Sequence, residues 1–185
     1  ETSGHKATIA SAVSARLVAP IEVGEMEVAR ELADRALQLR TEVGETTGVI
    51  SAMANVAGLD ITTGKVAVAM ELLTRALGLS LEENLQWSKA NVLTLVAAVH
   101  HLQSDYGQSI EVNLEALSLF EAIGDKRSIA NALNNVAVSQ LAIDEVDEAW
   151  DAASRAQALY EELGTPKGCA TALHNTADIQ FRRGN

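Results

Sequence analysis

The sequence predicts an all-α protein: an α-solenoid of stacked antiparallel helix pairs, four pairs followed by a half-repeat helix. Three observations carry this. First, "GEMEVARELADRALQL" from Gly24 and "GKVAVAMELLTRALGL" from Gly64 align at an offset of 40 residues. Two more steps of 40 reach "SDYGQSIEVNLEALSL" at Ser104 and "DEVDEAWDAASRAQAL" at Asp144, and the next reaches Gly184. Second, the other half of the unit repeats. Val13, Met53, Leu93, Leu133 and Leu173 share one column; Leu17, Ala57, Ala97, Ala137 and Ala177 share another, four positions on. That spacing puts both columns on one helical face. Third, the chain of 185 residues holds two prolines, is 48% hydrophobic and only 3% aromatic. Its apolar set is dominated by alanine, which favours helices packed closely through small side chains.

Taken in order, the pattern predicts first helices near 6–21, 46–62, 83–103, 126–142 and 166–182, and second helices near 25–42, 65–79, 106–122 and 145–162. Gly44, Gly124 and Gly164 share the column that closes the second helices, with Asn84 in the remaining repeat; Gly, then Asn, is favoured there. Ser80-Leu-Glu-Glu83 reads as a capping box opening the third repeat. Asp125 is placed to cap the helix that follows it, and Thr165-Pro166 reads as an N-cap with proline in the first turn. The first repeat departs from the pattern, with Arg16 at an apolar column and Pro20 near the helix end. No helix pair buries its apolar face alone, and stacking in register supplies one continuous core. Without a linker or a composition shift, 1–185 reads as one repeat domain: repeats at about 5–44, 45–84, 85–124 and 125–164, and a half-repeat at 165–185. The opening "ETSGHKATIA" has neither an initiator Met nor a signal-peptide pattern, so a piece of a larger protein is expected.

Composition narrows the function. The formal net charge is −11, and the adjacent basic pairs are Lys126-Arg127 and Arg182-Arg183. A nucleic-acid surface needs clustered Lys and Arg to neutralise phosphate, so neither nucleic acid nor an anionic membrane surface is expected as a partner. No apolar run approaches the roughly 20 residues of a membrane span. Cys169 is the only cysteine, which fits a reduced, cytoplasmic setting; it shares a column with Ile9, Val49 and Ile129, predicting a core role. His100 and His101 project about 100° apart on a helix and cannot chelate one ion. His174 and Cys169, five apart, align no better, so no metal is expected. There is no phosphate loop and no nucleophile with base and orienting group, which predicts no enzyme activity and no cofactor.

The chemistry worth following is asparagine. Asn55, Asn135 and Asn175 share one first-helix column, Asn91 and Asn131 a second, Asn134 and His174 a third. A carboxamide carries a donor and an acceptor together. It can pair with the backbone of a bound peptide, or satisfy a neighbouring turn inside the fold. Asn135 adjoins the packing seam Val136-Ala137, which favours structure for the first column. The residues that vary as Ser14, Ala54, Thr94, Asn134 and His174 favour a ligand-facing surface for Asn134; for Asn91 and Asn131 ligand contact and a structural role stand evenly.

These columns resemble the tetratricopeptide repeat (TPR) in its roughly 40-residue form, through Leu133, Val136-Ala137, Asp144, Ala149 and Ala156. "EAIGDKRSIANALNNVA" and "YEELGTPKGCATALHNTA" look like repeats of large bacterial regulators and of kinesin light chain-like adaptors. The resemblance implies a right-handed solenoid that binds peptide or protein segments, with first helices lining a concave groove. It implies partner-binding roles for Asn91, Asn131, Asn134, His101, His174 and Asp178. Groove columns include Ser14, Val18, Gly58, Ala98, Val138 and Leu141, small or apolar and almost without Lys or Arg. The family's carboxylate clamp needs paired basic residues there, so an apolar or amphipathic segment is the expected partner. Two other readings stand beside this one. One is a ligand-responsive sensor region of a larger bacterial signalling protein or transcription regulator. The other is end-to-end self-association through Ile179 and Phe181 of the last helix. Glu25, Glu27, Asp34, Glu145, Asp147, Glu148 and Asp151 form the acidic convex face, suited to solubility or to steering a basic partner.

Overall fold

A left-handed backbone residue recurs every twenty positions: Gly24, Gly44, Gly64, Asn84, Ser104, Gly124, Asp144, Gly164 and Gly184, with φ between 53° and 81°. These residues set where the helices stop. At most of them the next N–H reaches back to a carbonyl five residues earlier, as in Lys65 N to Asp60 O at 2.7 Å and Leu85 N to Ser80 O at 2.8 Å. This six-to-one bond satisfies a carbonyl that the helix end would otherwise leave open.

The computed structural model describes residues 3–184. Among them are ten helices and no strand: α1 (Ser3–Ala15), α2 (Val18–Glu22), α3 (Met26–Val43), α4 (Thr46–Thr62), α5 (Val66–Glu82), α6 (Gln86–Leu102), α7 (Tyr106–Ile123), α8 (Lys126–Ala142), α9 (Val146–Glu162) and α10 (Pro166–Arg182). The chain divides into two compact units, the first ending at Leu95 and the second beginning at Val96, within α6. In the first unit α1 and α2 pack on α3, α3 on α4, and α4 on α5. In the second, α7 packs on α8, α8 on α9, and α10 on both α9 and α8. Connections between consecutive full helices are two or three residues long, which makes sequential neighbours antiparallel. Ala29, Ala69 and Ala149 in one column, and Ala36, Ala76, Ala116 and Ala156 in another, are sealed from solvent. Small side chains at these contacts let the helix axes approach toward the close end of the usual 8–10 Å.

The structure departs from the sequence expectation in four places. The predicted helix over 6–21 is two helices, broken at Arg16–Leu17. Pro20 is the cause: its ring clashes with the carbonyl four residues back, at Arg16, and it has no N–H to donate. It sits instead in the first turn of α2. The break turns Leu17 into a core with Ala29, Ala33, Val56 and Leu59 and leaves Arg16 in solvent. Ser80-Leu-Glu-Glu83 is not a capping box. α5 continues to Glu82, Ser80 is buried within it and donates to the Leu77 carbonyl at 2.7 Å, and α6 opens at Gln86. The left-handed residue at Asn84, not the Ser, sets that boundary. Thr165 precedes Pro166 at the head of α10, but its hydroxyl donates to the Tyr160 carbonyl at 3.4 Å rather than capping the helix. Cys169 is half-buried rather than sealed in the core. Asp125 does cap α8, accepting from Ser128 N at 3.2 Å.

α3 and α4 are tied by an ion pair between a half-buried arginine and a buried carboxylate. Asp60 is fully buried; its Oδ1 accepts from Arg30, which also holds Asp34 at 3.1 Å, while Asp60 Oδ2 has no partner among the described residues. Removing one member of such a pair leaves a buried charge uncompensated, whereas apolar replacement of both is close to neutral. Arg30→Met is therefore expected to destabilise the protein by about 2–4 kcal/mol in urea unfolding. Adding Asp60→Leu to Arg30→Met should restore most of the loss; an equally unstable double variant would show that the pair is not what Arg30 stabilises.

Candidate binding groove

In the first unit, the first-helix columns converge on a cavity of about 410 Å³. One wall is Ser14, Leu17, Val18 and Ile21, made possible by the break between α1 and α2. The floor is α4, where Ala54 and Gly58, four apart, stack on one face. Asn91 and Leu95 of α6 close the far side, with Leu59 and Met26 below. No lining residue carries a charge. A β-carbon added to Gly58 would meet nothing within 4 Å, so the floor is open above that residue. Asn55 is exposed and Asn91 half-buried at the rim. Among the described residues neither carboxamide has a side-chain partner; the Asn91 main-chain carbonyl accepts from Thr94 at 2.7 Å.

The asparagines of the second unit are placed differently. Asn134, 9% exposed, accepts from Asn175 Nδ2 at 2.7 Å, a bond that ties α10 to α8. Asn131 accepts from the Tyr160 hydroxyl at 2.7 Å, tying α9 to α8. The oxygens expected to face a ligand at Asn131 and Asn134 thus have partners inside the fold, and Asn175 shares that role. Asn135 is half-buried beside its packing seam. Gly168 makes room for Tyr160, whose ring occupies the space a β-carbon there would take. His101 is half-buried, packs edge-on against Tyr106 with centroids 5.1 Å apart, and contacts Ser139. His174 is exposed; Asp178 is exposed and lies 3.9 Å from Arg182.

Ile179 is fully buried, so it is not available for end-to-end stacking, while Phe181 is 81% exposed. The seven acidic residues of the expected convex face are all exposed. Among the described residues no group of three His, Cys, Asp or Glu is placed to hold a metal ion, and no helix is long and apolar enough to cross a membrane. Sequence reasoning missed Tyr160 and the buried Ser109 and Ser139. The signal for Ser109 was present, since it interrupts the column of Ala29, Ala69 and Ala149.

No protein-family model and no curated protein sequence matches the chain. Solved structures do. A Rap protein complexed with Competence and Sporulation Factor superposes with a TM-score of 0.82 at 16% identity, over 91% of this chain and 47% of that one. Aspartyl phosphate phosphatase F from Bacillus subtilis gives 0.78 at 14%, over 94% and 46%. The TPR-like repeats of a kinesin light chain-type protein from Podosopora anserina give 0.72 at 14%, over 97% and 88%. The chain has the TPR-type repeat fold. It spans about half the length of the Rap and phosphatase structures. In TPR terms α4, α6, α8 and α10 are first helices of their repeats, and the groove of the first unit is a first-helix surface.

The two internal bonds of the second unit can be measured. A double-mutant cycle of Asn134→Ala and Asn175→Ala is expected to give a coupling of about 1 kcal/mol; a coupling near zero would dissolve the pair. Tyr160→Phe is expected to lower stability by about 1 kcal/mol near neutral pH. Burial pushes the Tyr160 hydroxyl above the ordinary tyrosine value of 10.0. With the folded-state value raised, the linked stability is fully present below about pH 10 and is lost as pH rises from there through the folded-state value. Urea midpoints of the wild type should therefore fall more steeply across that alkaline range than those of Tyr160→Phe.

Proposed function

We propose that this TPR chain is a protein-interaction scaffold, and that the groove of its first unit takes a peptide or protein segment. The observation that carries this is an uncharged, largely apolar cavity rimmed by two carboxamides, Asn55 and Asn91, that have no side-chain partner among the described residues. An apolar side chain of the segment would rest on Ala54 and Gly58. The carboxamides would pair with its backbone N–H and C=O, which needs no particular peptide sequence. The uncharged lining suits an apolar or amphipathic segment rather than a carboxylate or phosphate. The Rap protein of the same fold, solved with Competence and Sporulation Factor, supports a partner-holding role. The net charge of −11 favours approach by a segment with basic flanks.

The test uses Gly58. Gly58→Leu fills the cavity without a backbone clash, and it replaces a poor helix former with a good one, worth up to about 1 kcal/mol of added stability. Peptides selected on the wild-type chain from a random library are expected to lose binding to Gly58→Leu while its melting temperature holds or rises. Asn55→Ala with Asn91→Ala should weaken the same peptides about tenfold. Undiminished binding to Gly58→Leu would remove the groove from consideration. Selection of metabolites but no peptides in calorimetry would favour the sensor reading instead.

A further inference from the structure

The second unit contains a buried chain of hydroxyl groups whose protons can be counted. Ser109 Oγ lies 2.9 Å from the Ala97 carbonyl, Ser109 Oγ and Ser139 Oγ are 3.0 Å apart, and Ser139 Oγ is 3.0 Å from His101 Nδ1. Both serines are 1% exposed. A carbonyl only accepts, so the single hydroxyl proton of Ser109 is committed to Ala97. The contact between the serines must then use the proton of Ser139. With that proton committed, the contact to His101 must be donated by the ring. The relay runs one way: His101 Nδ1–H to Ser139, Ser139 to Ser109, Ser109 to the Ala97 carbonyl. The opposite tautomer would leave two serine oxygens facing each other at 3.0 Å with no proton between them, in a site closed to water. Hydrogen bonds in a buried chain reinforce one another, which strengthens the preference.

The ring that this relay holds sits at a telling position. His101 shares its column with Ile21, Ile61, Leu141 and Phe181, and Ile21 is a wall of the first-unit groove. His101 is the one polar member of that column. With Nδ1 carrying the proton, the neutral ring has a free lone pair on Nε2, for which the described residues provide no hydrogen-bond partner. We propose that His101 is a specificity-determining acceptor in the second unit. The buried serines fix its tautomer so that Nε2 takes a hydrogen bond from a neutral donor side chain, a hydroxyl, amide or indole N–H, on a bound protein segment. The occupant rests on the interaction-scaffold reading above; the tautomer does not.

Two measurements separate these parts. Long-range ¹H–¹⁵N NMR of the full chain, with His101 assigned through His101→Gln, is expected to show the neutral ring protonated on Nδ1. Ser139→Ala should move the ring toward the Nε2–H tautomer, and Ser109→Ala should do so less strongly. Neither should unfold the chain: alanine stands at the positions matching Ser109 (Ala29, Ala69 and Ala149), and the positions matching Ser139 are all apolar (Ala19, Leu59, Val99 and Ile179). A wild-type ring protonated on Nε2, or a tautomer indifferent to Ser139→Ala, would overturn the proposal. For the occupant, a random peptide library is selected on Gly58→Leu, in which the first-unit groove is filled. Retained peptides are expected to share a hydroxyl, amide or indole side chain, to lose about tenfold in affinity when His101→Phe is added, and to keep it when His101→Gln is added instead. No retained peptide, or equal binding to the His101→Phe protein, overturns the acceptor role and leaves the first-unit groove to stand or fall on its own test.

Discussion

The left-handed residue that recurs every twenty positions and ends every helix but α1 is the constraint on which the rest depends. Between consecutive left-handed residues lie nineteen others, enough for a helix of about seventeen residues and a turn. Fixing that length fixes which residues face one another when the chain folds back. Gly holds the position at six of the nine sites and Asn84, Ser104 and Asp144 hold it at the others. Asparagine and aspartate are the non-glycine residues that best tolerate this conformation; serine at 104 is the least suited, and is held there by a six-to-one bond from Asp105 N to the His100 carbonyl at 2.9 Å. Side-chain pairing follows from backbone punctuation here, not the reverse.

Given that punctuation, the two units use their polar residues in different ways. The first unit keeps its helix contacts apolar and small, with one buried carboxylate paired to Arg30, and leaves the carboxamides of Asn55 and Asn91 at a cavity rim. The second unit engages comparable groups in bonds within the fold. Asn131, Asn134 and Asn175 join helices to one another, and Ser109 replaces the alanine that the other repeats place at that contact. Buried polar groups must be satisfied, and two of the inward ones bring partners with them: Asn175 for Asn134, Ser139 and the Ala97 carbonyl for Ser109. Asn113, buried at the column of Ala33 and Ala153, keeps an oxygen without a partner among the described residues, which marks the same region as the polar part of the core.

Much of the fold was legible because a 40-residue period is a one-dimensional signal. Ala36, Ala76, Ala116 and Ala156 announce a helix contact without any knowledge of the partner helix. Glycine past a helix end was equally plain, and it outranked Ser80-Leu-Glu-Glu83, a local pattern that mimics a helix start but falls inside α5. Pro20 was visible, yet the break it causes four residues earlier depends on its ring meeting the Arg16 carbonyl, a three-dimensional fact. The site was less legible. Asn55 and Asn134 are both first-helix asparagines in neighbouring columns, and only the presence of Asn175 beside one and open cavity beside the other separates them. A column says which face a residue is on, but not what stands opposite.

The turns repeat every twenty residues, while the faces repeat every forty. This difference governs how such a chain can change length. Gain or loss of twenty residues would preserve every turn and every helix length, yet it would slide the small-residue pattern of a second helix into the place of a first. Arg35 and Gln38 of α3 would then stand where α4 presents Asn55 and Gly58, and the stack would be well punctuated but mispaired. Only a whole pair can be inserted or removed in register. The arrangement therefore tolerates growth in one step size and resists the half-step that its own turns would permit.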